Sequence, residues 1–486
     1  MLNDKDIIPL DGISASFLRA IKSFPYLKDG SYYVKVPSEN DLVVVDLLEK
    51  KLGIKFIPEY ADEEIIFELI QKYYENLLDI QPLEEEKIED INLLKDLASE
   101  APIIRLVNKI IREAVENRAT DVHFESSKKG LRVRFRIDGI LHDKYFYPPK
   151  FIAPVISRLK LMAKLNIAEY RLPQDGRIKF RVSGKDIDIR ISVIPSVFGE
   201  GVVLRLLVQE EQLLSLQNLG LSPENYQQIL HLLRMPNGII LVTGPTGSGK
   251  TTTLYASLSY LNTPDKKIIT IEDPVEYQLS GIHQIQIRPE IGLTFASALR
   301  SILRHDPDII LVGEIRDYET AEIAIQAALT GHLVFSTLHT NDALGAVFRL
   351  HEMGIEKYLI SASVVGLIAQ RLVRKLCEKC SKVVDPDDAF LEALSRVDYH
   401  PDNIIFKVPV GCDFCSNTGY YGREAIYEII VIDKMLRKLI LKSDEDDIRN
   451  YLKKQKFRSL FYDGLRKVCQ GVTSFEEVLR VSRIQS

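Results

Sequence analysis

Two stretches of this chain hold residue types at a spacing that chemistry uses. The first is Gly244-Pro245-Thr246-Gly247-Ser248-Gly249-Lys250-Thr251-Thr252, which satisfies G-x-x-x-x-G-K-[ST]. It follows the apolar run "GIILV" and opens a helical segment, the context the motif requires. The glycines let backbone N–H groups converge on phosphate, and a helix N-terminus adds positive potential. Lys250 then reaches the β- and γ-phosphates and the Thr251 hydroxyl contacts magnesium, so ATP and Mg2+ are expected here. The second is the pair "CEKC" and "CDFC", with Cys377, Cys380, Cys412 and Cys415. Four thiolates close a tetrahedral Zn2+ site with no open position, the reading preferred over a redox pair or an iron–sulfur cluster. Gly411 and Gly419 flank the second pair as a tight knuckle would need. Cys469 is left over and reads as a buried reduced thiol.

The P-loop needs acids beside it, and "PDIILVGEIRD" offers one in an unusual place. Its apolar run ends in Gly313-Glu314, and the nearest upstream acid, Asp308, precedes the run. Other short apolar runs also end in polar chemistry. "IITIEDPVEY" delivers Glu272, Asp273 and Glu276, and "HLVFSTLHTND" delivers Thr337, His339 and Thr340, with His332 at its start. Singly, each acid reads as a helix cap or surface charge and each histidine as structural. Together they suit a sheet whose strands end at a bound ligand. Phosphoryl transfer needs positioning and charge neutralisation, so the acids are expected to hold magnesium and to orient or deprotonate water. His339 is expected to sense the γ-phosphate.

These side chains require a scaffold, and the pattern from residue 237 supplies one. Short apolar runs without strict alternation are separated by helical segments such as "TFASALRSILRHD" and "YETAEIAIQAALT". That predicts an α/β, RecA-like core with a parallel sheet covered on both faces. Before it, "LRVRFRIDGILHD" alternates Leu131, Val133, Phe135 and Ile137 with Arg132, Arg134, Arg136 and Asp138, and Asp138-Gly139 supplies a hairpin turn. The arginines read most simply as the wet face of an α+β domain, with a subunit or nucleotide contact as the alternative. "EEIIFELIQKYYENLL" places Ile66, Leu69, Ile70, Tyr73 and Leu77 at helical spacing, core-facing or a docking face. Acidic "PLEEEKIED" opens a solvated linker. Ser474 and Glu477 form a capping box for a last helix.

Bulk composition bounds the rest. The 486 residues suit three to four domains on a prior of about 150 each. With 46% hydrophobic and 27% charged residues and a net charge of -5, no broad affinity for nucleic acid or anionic lipid is expected. The N-terminus does not read as a signal peptide, and no apolar run reaches the ~18 residues that span a bilayer. Paired C-x-x-C cysteines suit a reducing compartment. The chain is therefore expected in the cytoplasm, meeting membranes only through partners.

The P-loop, "IEDPVEY", "GEIRDYETAEIAIQAALTGH" and "STLHTND" together resemble the bacterial type II secretion assembly ATPases, sisters of the pilus-assembly ATPases. The likeness covers nearly all of residues 100–486 and includes "TDVHFE", "RLPQDGRI" and "DGLRKVCQGVTSFEEVLRV". It implies that Glu314 stands at the Walker B position. It also implies a homo-hexamer with nucleotide held between the ATPase core and the preceding PAS-like α+β domain. Arg177 and Arg190 are the arginines of that domain expected to close on phosphate. Where the family usually has a basic residue in "GE-x-VV-x-RLL", this chain has Gly201, so a charge contact is missing there. The implied division is a partner-docking domain 1–80, a linker 81–100, an α+β domain 101–212, the ATPase core 213–374, a zinc-binding insertion 375–420 and a helical C-terminal domain 421–486. Residues 1–80 are expected on the cytoplasmic domain of an inner-membrane secretion protein, with an inner-membrane platform protein as second partner. The implied activity is a motor for pseudopilus assembly in type II secretion. Type IV pilus assembly is the near alternative, and a RecA-like nucleic-acid motor or a non-catalytic scaffold the distant ones.

Overall fold

The computed structural model describes residues 8–9, 18, 21–28, 30–38, 44–45, 48–49, 54–70, 101–182, 185–207, 215–442 and 444–482. Residues 81–100, the expected linker, lie outside them, as do Tyr73 and Leu77. In the N-terminal region a sheet runs β1 (Ile8–Pro9), β2 (Phe24–Lys28), β3 (Ser31–Val36), β4 (Ile57–Tyr60) in that order. Helix Glu63–Ile70 packs Ile66 and Ile70 into its core, so that part of the amphipathic pattern faces inward.

The next sheet is six-stranded and antiparallel: β5 (Ala119–Ser127), β6 (Gly130–Ile137), β7 (Ile140–Tyr147), β8 (Gln174–Val182), β9 (Lys185–Ser196) and β10 (Gly199–Leu207), in the order β7-β6-β5-β10-β9-β8. Leu131, Val133, Phe135 and Ile137 are buried under helices Ala101–Glu116 and Ile152–Met162, as the period-two pattern predicts. The turn between β6 and β7 has positive φ at both Asp138 and Gly139, the requirement of a type I′ hairpin. On the other face, β-pairing aligns Arg136, Asp121, Arg205, Arg190 and Arg177 across five strands. The α+β domain therefore carries a row of four arginines around one aspartate.

The ATPase sheet has seven strands: β11 (Gly238–Thr243), β12 (Ile268–Glu272), β13 (His283–Gln286), β14 (Ile309–Val312), β15 (Leu333–Leu338), β16 (Val364–Leu376) and β19 (Tyr420–Val431). Its order is β13-β12-β14-β15-β11-β16-β19, all parallel except the β16–β19 pair. β14 is buried at every position, and each such Ile, Leu or Val contributes about 1.5–3 kcal/mol by leaving water. Between β16 and β19 lie the tetracysteine segment and the short pair β17 (Lys382–Val383) and β18 (Lys407–Val408). The region from residue 421, expected to be helical, thus opens with a strand of the ATPase sheet, followed among the described residues by four helices. Those helices share one hydrophobic core with the ATPase sheet: Leu452, Leu465, Val468 and Val478 join Leu367, Ile426 and Ile430.

Candidate active site

The P-loop leaves β11 and turns into helix Lys250–Leu261 through a left-handed Gly249. A Cβ at Gly249 would sit 2.7 Å from Gln370 Nε2, and one at Gly244 would sit 2.6 Å from the Gln370 carbonyl oxygen. Glycine is required at both places for space as well as for φ. Pro245, Thr246 and Gly247 are exposed, Thr251 is exposed in the first helical turn and Thr252 is half-buried. Lys250 Nζ donates to the carbonyls of Gly244 (2.7 Å) and Pro245 (3.2 Å). Burial pushes its pKa down to about 8, opposed by nearby Glu314 and reinforced by Arg371. Ser248 Oγ is buried without a hydrogen-bond partner inside the loop. An anion cradle with an ammonium on provisional partners and an orphaned hydroxyl fits a nucleotide phosphate chain.

The strand-end acids go to three different places. Glu272, at the end of β12, is buried and accepts from Tyr255 Oη, Thr270 Oγ1 and, at 3.1 Å, Gln284 Nε2. Glu276 Oε2 meets Arg190 Nη2 at 2.9 Å, a contact between the ATPase core and the α+β domain. Glu314 is largely buried beyond the end of β14, paired with Arg316, with His339 Nε2 3.7 Å from its Oε2. Burial first, then Lys250, pushes the His339 pKa down, so this imidazole is neutral at pH 7. Lys250, Glu314 and His339 are therefore neighbours. Thr337 Oγ1 donates to the Gly313 carbonyl at 2.7 Å and fastens the two strand ends together.

Both aspartates of "PDIILVGEIRD" are structural. Asp308 Oδ2 accepts from the Lys267 amide at 2.7 Å, and Asp317 caps helix Tyr318–Leu329 through the Thr320 amide at 2.8 Å. His332 Nδ1 lies 2.8 Å from the Ala327 carbonyl at the opposite end of β15 and takes no part in the cluster.

Arg177 and Arg190 stand opposite each other on β8 and β9 and line an open cavity of about 460 Å³ that Pro274 borders from the ATPase side. Arg205 lines it too and was not singled out by sequence; its place on the same wet-face period as Arg190 was the available signal. Its Nε donates to Asp121 Oδ1 at 3.0 Å. Gly201 lies opposite Ile194, and an added Cβ there would meet nothing closer than 3.7 Å, so space does not require glycine at this place. Its neighbour Glu200 pairs with buried Lys160 at 2.6 Å.

The four cysteine sulfurs lie within 4.8 Å of one another. Cys377–Cys412, Cys380–Cys415 and Cys412–Cys415 are separated by 3.9, 3.8 and 3.7 Å. Thiolates at ~2.3 Å from one tetrahedral zinc are about 3.8 Å apart, so the set fits that ion. The amides of Gly411, Cys412 and Gly419 each donate to a cysteine sulfur at 3.3 Å, which favours thiolate.

Comparison with known proteins decides the family. Residues 96–480 match the sequence profile of the family described as "Type II/IV secretion system protein". The chain belongs to this family. It is 45% identical to the type II secretion system protein E of Xanthomonas campestris pv. campestris over 482 residues, 97% of this chain and 85% of that protein. It is 46% identical to the type II secretion system ATPase E of Vibrio cholerae over 405 residues, 83% of this chain and 80% of that one. The crystal structure of the pilus retraction motor PilT with bound ADP aligns with a TM-score of 0.51 at 27% identity, covering 78% of this chain and 97% of that one. The Legionella pneumophila ATPase DotB shares the fold, with a TM-score of 0.56 at 21% identity over 83% of this chain and 99% of that one. This member of the family is an ATPase on the type II secretion branch. Among the described residues, no helix is long and apolar enough to cross a membrane.

Proposed function

We propose that this ATPase works as a homo-hexamer, converting ATP hydrolysis into pseudopilus assembly and protein export. The observation that carries the site assignment is the convergence of Lys250, Glu314 and His339 beyond the ends of β11, β14 and β15. Lys250 leaves the Gly244 and Pro245 carbonyls for the β- and γ-phosphates, and the loop amides of residues 246–249 hold the remaining phosphate oxygens. Thr251, exposed at the start of its helix, and Glu314 would hold Mg2+, which supplies charge neutralisation across the phosphates. Glu314 orients or deprotonates the attacking water, and neutral His339 reads the γ-phosphate. Glu276 holds Arg190 until phosphate replaces it, with Arg177 beside. Glu272 serves the same chemistry indirectly by fixing the end of β12 through Tyr255, Thr270 and Gln284. Cys377, Cys380, Cys412 and Cys415 would hold Zn2+ as a structural knuckle.

In the assembled machine, residues 1–80 dock on the cytoplasmic domain of an inner-membrane secretion protein, and closure of the α+β domain on the ATPase core moves an inner-membrane platform protein. The chain is thereby cytoplasmic and peripheral to the bacterial inner membrane, and acts without nucleic acid. Lys250→Ala in the full chain tests the site. ATP binding measured by fluorescent-nucleotide titration should weaken by about 100-fold or more, the loss expected when charged hydrogen bonds to phosphate disappear. Unchanged binding would remove the P-loop from the mechanism.

A further inference from the structure

Behind the strand-end cluster lies a second polar network that the chemistry above does not use. Glu428 sits on β19, opposite Ala369 of β16, and is only 6% exposed. Its Oε1 accepts the Ala343 amide at 2.9 Å, and its Oε2 accepts the amide of Leu460, the first residue of helix Leu460–Cys469, at 3.1 Å. One carboxylate therefore ties the loop that follows His339 to the start of a C-terminal helix. The same loop has three more attachments. Thr340 N donates to Thr243 Oγ1 at 2.9 Å, the last residue of β11 before the P-loop. The Asn341 carbonyl accepts from Arg371 Nη2 at 2.7 Å, and the buried Arg371 guanidinium lies close behind Gly244. Asp342 Oδ2 accepts from Arg449 Nη2 at 2.9 Å, on helix Glu445–Lys454.

The loop is thus held by the P-loop strand on one side and by two C-terminal helices on the other. A carboxylate in such a place is costly. Burial pushes the Glu428 pKa up to about 7 and nearby Asp342 adds to the rise, while the Ala343 and Leu460 amides and Arg449 oppose it. An apolar residue would fill the space without that cost, but it would leave two buried N–H groups unpaired and the loop untied.

We propose that Glu428 is a positioning residue for ATP hydrolysis: it fixes the His339–Ala343 loop to the N-terminus of helix Leu460–Cys469, so that displacement of the C-terminal helices reaches the γ-phosphate side of the site. The proposal rests on the nucleotide-site reading given above. Its consequence is a second mechanical input to the catalytic centre, separate from the arginines of the α+β domain.

Glu428→Gln tests it in the full chain, because one carboxamide oxygen can serve only one of the two amides and its NH2 group meets the other. The expected result is a kcat for ATP lowered about tenfold, as for one buried donor left unpaired, with KM within about twofold. Hydrogen exchange at the amides of residues 340–345 should accelerate. The effect should also be non-additive with His339→Ala, the double variant being no slower than the slower single one. If Glu428→Gln does not fold, Arg449→Gln, at a partly exposed position, should lower kcat about threefold with the same non-additivity. An unchanged kcat in a folded variant, or losses that simply multiply with those of His339→Ala, would overturn the proposal. Unchanged ATP binding in Lys250→Ala would instead overturn the underlying site.

Discussion

The tetracysteine knuckle and the nucleotide site treat their polar groups in opposite ways. In the knuckle, four sulfurs from one chain stand at tetrahedral spacing, and two of them, Cys380 and Cys415, already accept backbone amides at 3.3 Å. Around the P-loop, three charges rest on nearby protein partners: Lys250 on two loop carbonyls, Arg190 on Glu276, Glu314 on Arg316. The first arrangement is finished and the second is poised. A structural site gains from leaving no valence open, whereas a motor needs contacts that can be exchanged as the domains move.

The largest effect separating the two regions belongs to the exchangeable arginine. Arg190→Ala should lower ATP turnover by roughly 10³-fold, the lower end of what an arginine supplied to a γ-phosphate contributes, while zinc content stays unchanged. Steady-state kinetics with elemental analysis on the same sample checks both halves. Cys412→Ser should do the reverse. It should release the metal and lower the melting temperature of the whole ATPase unit, because the knuckle is inserted between β16 and β19 of its sheet. ATP affinity should change by less than about threefold; retention of zinc would sink the tetracysteine assignment.

A smaller, pH-dependent difference sharpens the comparison. The Lys250 ammonium is held down to about 8 by burial, below its ordinary value near 10.4, and phosphate restores it. ATP binding at pH 8.5 should therefore take up a proton, and affinity should fall as pH rises through 8. Calorimetry in buffers of different ionisation enthalpy reads this directly. The sign is fixed because the charged form is the one that binds. For the protein itself, a lysine depressed in the folded state is a penalty at pH 7, and that penalty fades as pH climbs from about 8 towards 10.4.

Much of this was legible in the sequence wherever the determinant was local. The P-loop conformation follows from glycines at fixed spacing, the β6–β7 turn from Asp138-Gly139, and the four-cysteine cluster from two C-x-x-C pairs. Long-range partners were not legible. β16 and β19 pair across the whole knuckle segment, so the edge strand "YYGREAIYEIIV" finds its partner more than forty residues away rather than in a local pattern. The Arg190–Glu276 contact joins β9 to the loop after β12, and nothing in either local pattern names the other residue. The capping box at the last helix was half right. Ser474 Oγ accepts from the Glu477 amide, but the Glu477 carboxylate is drawn to Arg374 and Arg480 instead. Asp308 and Asp317 fell to local structure, which leaves Glu314 as the acid of that stretch that stands beside Lys250 and His339.

Glu314→Gln in the full chain, assayed for MgATP binding and for phosphate release, separates a hydrolytic role for this acid from a structural one. Binding should stay within about threefold of the parent, since a neutral isostere keeps the space, and turnover should fall on the order of 10²-fold or more. Turnover retained at the parent rate would take Glu314 out of the catalytic shell, and the poised nucleotide site with it.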